Sequence, residues 1–364
     1  MQLEKCPDFD KILERFEAWW HCEIIDRPLV TMGVNPEREP NLPRKTHRTL
    51  RERWFDFDYA MDGLEAWLDV ASFVGESFPV YEPRLGPELC GTLFGCELEF
   101  GEATSWSVPL AKSIRDVLAM KPDLDNPYWT AIREATRRSL ERGAGRWITA
   151  MPDLHTNGDV LATLRDPQNL CLDCADDLEG VALACGHVTD FYPMMYEDLR
   201  NPVAAAGQPF TTWTSLLHAG KCYVTNCDFI CMISPNMFET AILPSLVSEM
   251  RYLDCNLFHL DGPGALRHLD ALLAVPELNG VQWISGAGQG PAVRWVDVYK
   301  RIQQAGKCIQ VCCSTPEEAR EVAEHLRPEG VWFTLGSCER EDAEAFLKWV
   351  EQWGASKAHK PVRR

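Results

Sequence analysis

No apolar run in this chain is long enough to cross a bilayer. Stretches such as Phe229 to Ile233 fall far short of the ~20 residues a membrane helix needs. The opening Met1-Gln2-Leu3-Glu4-Lys5-Cys6-Pro7-Asp8 has no basic n-region and no apolar h-region, so no secretory signal is visible and a cytoplasmic location is expected. There is no linker rich in Pro, Gly or Ser and no sequence-level repeat, so one domain over residues 1–364 is expected. Basic charge is also in short supply: 36 Lys and Arg face 54 Asp and Glu, a net charge of −18. That field argues against nucleic acid, anionic membranes and polyanionic substrates as partners. The one basic cluster, Arg44 to Arg53, reads as a solvated helical face, and the tail Pro361-Val362-Arg363-Arg364 as a frayed end.

Cysteine is abundant, at fifteen residues, but without the spacing of a framework. Cys171 and Cys174 form a C-x-x-C with no second pair at zinc-finger distance, and others such as Cys222, Cys308 and Cys312 lie inside apolar runs. They read as reduced thiols packed as small hydrophobes.

With an apolar fraction of 46% the chain can build a sizeable core. Residues 1–145 form an irregular extension and the first units, with an amphipathic helix at Phe9 to Trp20, a strand at Pro28 to Val34, and short strands and turns between Gly75 and Pro109. From Arg146 the pattern becomes regular, with strands around Trp147–Met151, Cys222–Asp228, Leu257–Leu260, Gln282–Ile284, Ile309–Cys312 and Val331–Leu335, each followed by a helical segment. Strands separated by helices make βαβ units and a parallel sheet. The number of units predicts an α/β fold, a single TIM-type (β/α)8 barrel with an irregular N-terminal extension.

In such a barrel the chemistry comes from the C-terminal ends of several strands. Those ends carry Asp153 and His155, Asp228, His259 and Asp261, Trp283 and Ser285, Cys312 and Cys313, and Ser337 and Cys338. Alternation puts His259 and Asp261 on one face of an extended chain. As a metal centre, His259, Asp261 and Cys338 offer imidazole, carboxylate and thiolate to zinc, with Asp228 or Glu76 as further ligands. Without metal, Asp228 and Asp261 become acid and base partners, their pKa values driven apart by burial and mutual repulsion. Blander roles compete: a core histidine at 259, a turn residue at 261, a helix cap at 228. Of the thirteen tryptophans, Trp106, Trp213 and Trp283 fall near loops or strand ends. Trp283 and Trp106, with Glu76, are expected in substrate binding, as a stacking platform or a cage for a methylammonium group.

Asn226-Cys227-Asp228-Phe229, then Met232-Ile233-Ser234-Pro235-Asn236-Met237-Phe238-Glu239 and Leu243-Pro244, resembles the uroporphyrinogen decarboxylase superfamily, which also holds the cobamide-dependent methyltransferases. His259-Leu260-Asp261-Gly262 falls where those methyltransferases carry His-x-Cys-Gly. From Arg146 to the C-terminus the chain is similar to a branch labelled trimethylamine corrinoid protein or uroporphyrinogen-decarboxylase-like protein. The resemblance implies an α/β barrel with a methyl-transfer or decarboxylation role. Two departures matter. Asp261 stands where the family has a zinc-binding cysteine, with Cys338 left as the last ligand, which puts thiol methylation in doubt. The arginine-rich loop that would grip a porphyrinogen is absent between Asp26 and Pro36. The leading expectation is a methyltransferase, with zinc in the family manner as its candidate cofactor, acting on a small-molecule substrate with a methylated compound or a corrinoid protein as partner. The chain has no corrinoid-binding motif, so a corrinoid would enter only through that partner. The alternative is a metal-assisted or acid–base lyase or hydrolase on a small polar molecule such as a sugar. A third is a non-catalytic binding barrel.

Overall fold

The protein is described here by a computed structural model covering residues 1–357, so the expectation for the C-terminal tail lies outside the described residues. Eleven strands are formed among them: β1 (Leu29–Val34), β2 (Val74–Gly75), β3 (Val80–Tyr81), β4 (Glu97–Phe100), β5 (Ser105–Val108), β6 (Ile148–Thr149), β7 (Cys222–Asn226), β8 (Cys255–Asp261), β9 (Gly280–Ile284), β10 (Cys308–Cys313) and β11 (Val331–Cys338). The fold is mixed α/β around a central, mostly parallel sheet. One ladder runs β2-β1-β11-β10-β9-β8-β7, all parallel except the β1–β2 pair. A separate parallel pair joins β3 to β6, and β4 and β5 form an antiparallel hairpin.

Parallel strands read as near-continuous apolar runs when helices cover one face and a filled interior the other. The helix-covered face carries Phe333, against Phe346 and Trp353 of the last helix, and Trp283, whose ring lies 5.2 Å from that of Trp295. The opposite face is not uniformly apolar. In register across four strands stand Asn226, His259, Gln282 and Gln310, with Thr334 and Thr31 paired further round. The helix Phe9–Trp20 closes the N-terminal end of the strands: Phe16 and Trp19 meet Trp332 edge-to-face at 5.2 and 5.6 Å, and the Trp19 indole N–H donates to the Gly330 carbonyl at 2.8 Å.

The helical segment expected after the strand at Cys222–Asp228 is broken up. A short α turn, a π-helical turn at Phe238–Ile242 and an α-helix at Leu243–Tyr252 follow one another, with Pro244 in the first turn of the last. Proline lacks the N–H that a continuous α ladder would require there. The expected strand at Trp147–Met151 shrinks to Ile148–Thr149, because Met151 N–H turns to the Thr211 carbonyl at 3.0 Å.

Candidate functional site

Asp261 ends β8, and Gly262, at φ +76°, lets the chain turn away at once; that left-handed backbone suits glycine. His259 lies two residues earlier on the same strand. Asp228 lies two residues past the end of β7 and opens a short 3-10 turn, Asp228–Met232. Its position is set from outside the strand. Asp159, in the first turn of the helix Asn157–Arg165, accepts the backbone N–H groups of Asp228 at 2.9 Å and Phe229 at 3.0 Å. The result is a trio at the C-terminal ends of two neighbouring strands. One ligating atom each from Asp228, His259 and Asp261 lies within 4.8 Å of the others.

The imidazole of His259 is held on one side only. Its Nδ1 meets Oε1 of Gln282. Gln282 Nε2 donates to Gln310 Oε1 at 2.8 Å, and Gln310 Nε2 to Thr334 Oγ1 at 2.9 Å. Thr31 donates to Thr334 at 3.2 Å and accepts from the Trp332 indole at 3.0 Å. With the amides in this orientation Nδ1 carries the hydrogen, which leaves the lone pair of Nε2 as the ligating electrons. An outer partner that fixes the tautomer of a metal-binding histidine is a recurring device. The indole of Trp213 stands edge-on to His259, centroids 5.2 Å apart.

Burial and the facing Asp159 carboxylate push Asp228 up to about 6, and its Oδ1 is buried without a hydrogen-bond partner. A cation between the three groups would supply what that orphaned oxygen lacks. An imidazole with two carboxylates is a donor set for a divalent ion such as zinc. The residues therefore fit a metal.

Beside the trio lies a second imidazole. His155 Nε2 is 3.0 Å from Asp153 and its Nδ1 3.2 Å from Asp159. Burial alone would lower its pKa, but Asp153 and Asp159 outweigh it and hold it well above the ordinary value. Burial would raise Asp159, yet His155 and the two backbone N–H groups leave it lowered. Glu82 is pushed up to about 7 by burial and by Asp153. This imidazole has no nitrogen to spare.

Sequence reasoning named Asp228, His259 and Asp261 as partners, and the structure brings them together. It does not bring in the others. Cys338, at the end of β11, is not in the ligating group; the oxygen of Asp228 takes its place. Trp283 is 1% exposed and sits on the helix-covered face, because neighbouring residues on a strand point to opposite sides and Gln282 takes the inner one. The ring beside His259 belongs to Trp213. Trp106 stands on the β4–β5 hairpin, 54% exposed and paired across from Glu99. Glu76 is completely buried at the entry to β1, paired with Arg27 at 2.6 Å and Arg15 at 3.1 Å while accepting the Val30 N–H at 2.7 Å. Its acceptors are used up in holding the chain. Asp228 caps no helix at Pro235; the Ser234 hydroxyl does so. Gln282 and Gln310 were missed, although a polar residue at the centre of each apolar run, in Val281-Gln282-Trp283 and Ile309-Gln310-Val311, is a signal in itself.

No family model matches the chain, and no curated protein matches it. Among solved structures the chain is similar to a B12-independent methionine synthase from Shewanella sp. W3-18-1 in complex with selenomethionine. The two share 11% identity over 91% of this chain and 97% of that one, with a TM-score of 0.41. A likeness that distant says nothing of what this chain does, and the family resemblance stands on the sequence motifs alone.

Proposed function

We propose that this chain is a divalent-metal enzyme that activates a small molecule at the C-terminal ends of its strands, with Asp228, His259 and Asp261 as ligands. The observation that carries this reading is the convergence of three ligating atoms within 4.8 Å, one of them on an imidazole whose Nδ1 is engaged by Gln282. When bound, the ion would supply Lewis acidity to an oxygen, nitrogen or sulfur of the substrate. The protein's own part is to orient the ligands through Gln282 and Asp159 and to place Trp213 against the reacting region.

The reaction favoured by the sequence resemblance is methyl transfer, with the methyl group supplied by a methylated small molecule or by a corrinoid protein as partner. A metal-assisted lyase or hydrolase is the second reading. It draws support from the oxygen-rich donor set. In either case the fold is read as one closed barrel over residues 1–357. Two observations support closure. The segment after Gln208 bridges β6 towards β7: the Gln208 side chain accepts the Thr149 N–H at 2.8 Å, and Tyr223 Oη on β7 donates to the Pro152 carbonyl at 2.9 Å. At the other seam, Ser77 Oγ, between β2 and β3, both accepts from and donates to the backbone of Met32 on β1 at 2.9 Å.

Cobalt substitution tests the reading. Cobalt(II) should enter at one ion per chain in the wild type and fail to enter Asp261→Asn and His259→Ala. A sulfur-to-cobalt charge-transfer band on adding a small thiol would favour methyl transfer to sulfur. Thiol-insensitive spectra that respond to alcohols or amines would favour the second reading. Failure of the wild type to take up cobalt or zinc would refute the metal centre.

A further inference from the structure

A cavity of about 350 Å³ opens beside the trio, reaching from Trp213 and Gln282 across to Thr31 and Thr334. That is within the size range of small-molecule sites. It rests against the histidine through two shared residues, since Gln282 holds His259 and Trp213 stands edge-on to it.

Two properties of its wall restrict what can enter. First, none of the residues lining it carries a formal charge. A carboxylate or phosphate lodged against this wall would shed its hydration and find no charged side chain there to replace it, inside a protein of net charge −18. Second, the polar groups of the wall are hydroxyls, amides and one indole, and some lack partners. The indole N–H of Trp213 and the hydroxyl of Thr214 are buried with no hydrogen-bond partner. An indole N–H can only donate, so a ligand atom that satisfies it would be an acceptor. Met32, Phe78 and Leu335 add apolar surface among the polar groups, and with the indole of Trp213 they suit a molecule with both CH faces and oxygen edges.

We infer that this cavity binds a neutral, polyhydroxylated molecule of about monosaccharide size, with oxygens accepting from Trp213 and hydrogen-bonding to Thr214 and Thr334. This rests on the reading that the trio is the reactive end of the same site, and it names the substrate class.

The test is calorimetric titration with D-glucose, D-galactose and myo-inositol, alongside glucuronate as the anionic counterpart and choline as the cationic one. The expected result is binding of at least one neutral polyol, with glucuronate and choline at least tenfold weaker. Thr214→Val, which keeps the shape and removes a hydroxyl, should weaken the polyol by about tenfold with unchanged melting temperature, and Trp213→Phe, which removes the indole N–H together with part of the ring, by at least as much. Absence of binding by all three polyols would overturn the inference, as would glucuronate or choline binding as tightly as a polyol, or undiminished affinity in both variants. The same titration on zinc-stripped protein separates the two claims. Polyol binding by a chain that takes up no metal even when supplied would refute the metal centre and leave the cavity assignment standing. Metal uptake with no polyol binding would do the reverse.

Discussion

Two histidines, His155 in the loop after β6 and His259 on β8, each stand beside two aspartates, yet the structure fits them for different work. Both ring nitrogens of His155 face carboxylates, Asp153 at 3.0 Å and Asp159 at 3.2 Å. It is a fixed imidazolium, a peg that neutralises a buried acidic cluster. His259 is gripped at one nitrogen by a neutral amide, Gln282, and the other nitrogen is left for the carboxylates of Asp228 and Asp261 to share with a ligand. Having acidic neighbours does not make a metal ligand of a histidine; having a nitrogen without a proton does. Asp159 links the two groups, accepting from His155 on one side and fixing the Asp228 backbone on the other.

Breaking the first member of the pair should have the largest effect, and it should be on stability. His155→Gln removes the cation from between two carboxylates, which should cost about 3–5 kcal/mol, as when a buried ion pair loses one partner. The sign with pH follows from the raised pKa of His155. Its contribution is fully present below the unfolded-state value of about 6.5 and fades as pH rises through the higher folded value. Denaturant unfolding of wild type and variant should therefore differ most between pH 5 and about 6.5 and converge in alkali. A gap that widens in alkali would show His155 to be neutral.

Breaking the second member should spare the fold and remove the metal. His259→Ala should lower zinc affinity by more than the about 10–100-fold typical of losing an outer partner, read by competition against a chromogenic chelator. His155→Gln, assayed under folded conditions, should keep one zinc per chain. Loss of zinc from both alike would merge the two histidines into one centre.

The comparison is sharpened at Gln282. Gln282→Met removes the acceptor from His259 Nδ1 and should cost about 10–100-fold in zinc affinity, while Gln282→Glu, which keeps an acceptor there, should restore most of it. Equal losses in both would mean that Gln282 only fills space. The smallest effect belongs to Cys338→Ser, which should leave zinc affinity unchanged because the thiol is outside the ligating group. A tenfold loss would return Cys338 to the centre.

Much of the frame was legible beforehand. The βα order from Cys222 to Val331 follows from short apolar runs alternating with helical segments, and the period of two along Phe258-His259-Leu260-Asp261 puts the histidine and the acid on one face. The same period could have excluded Trp283 from the site. Once Gln282 is assigned to the inner face its neighbour must take the other, where Trp283 meets Trp295. The irregular first half was less legible because its strands are two to four residues long apart from β1, held by side chains such as Ser77 and Glu76 more than by ladders. Such contacts join residues 45 or more positions apart and leave no local pattern.

By itself the sequence determined which chemical groups arrive at the ends of the strands, because strand periodicity and chain order are local properties. Tertiary structure decided which atoms meet there. Whether His259 keeps a nitrogen for a ligand depends on the register that sets Gln282 beside it, and whether Asp228 replaces Cys338 depends on Asp159, sixty-nine positions away, holding its backbone. Neither pairing is written in spacing along the chain. Each is fixed by hydrogen bonds that exist only after distant strands and a helix have packed.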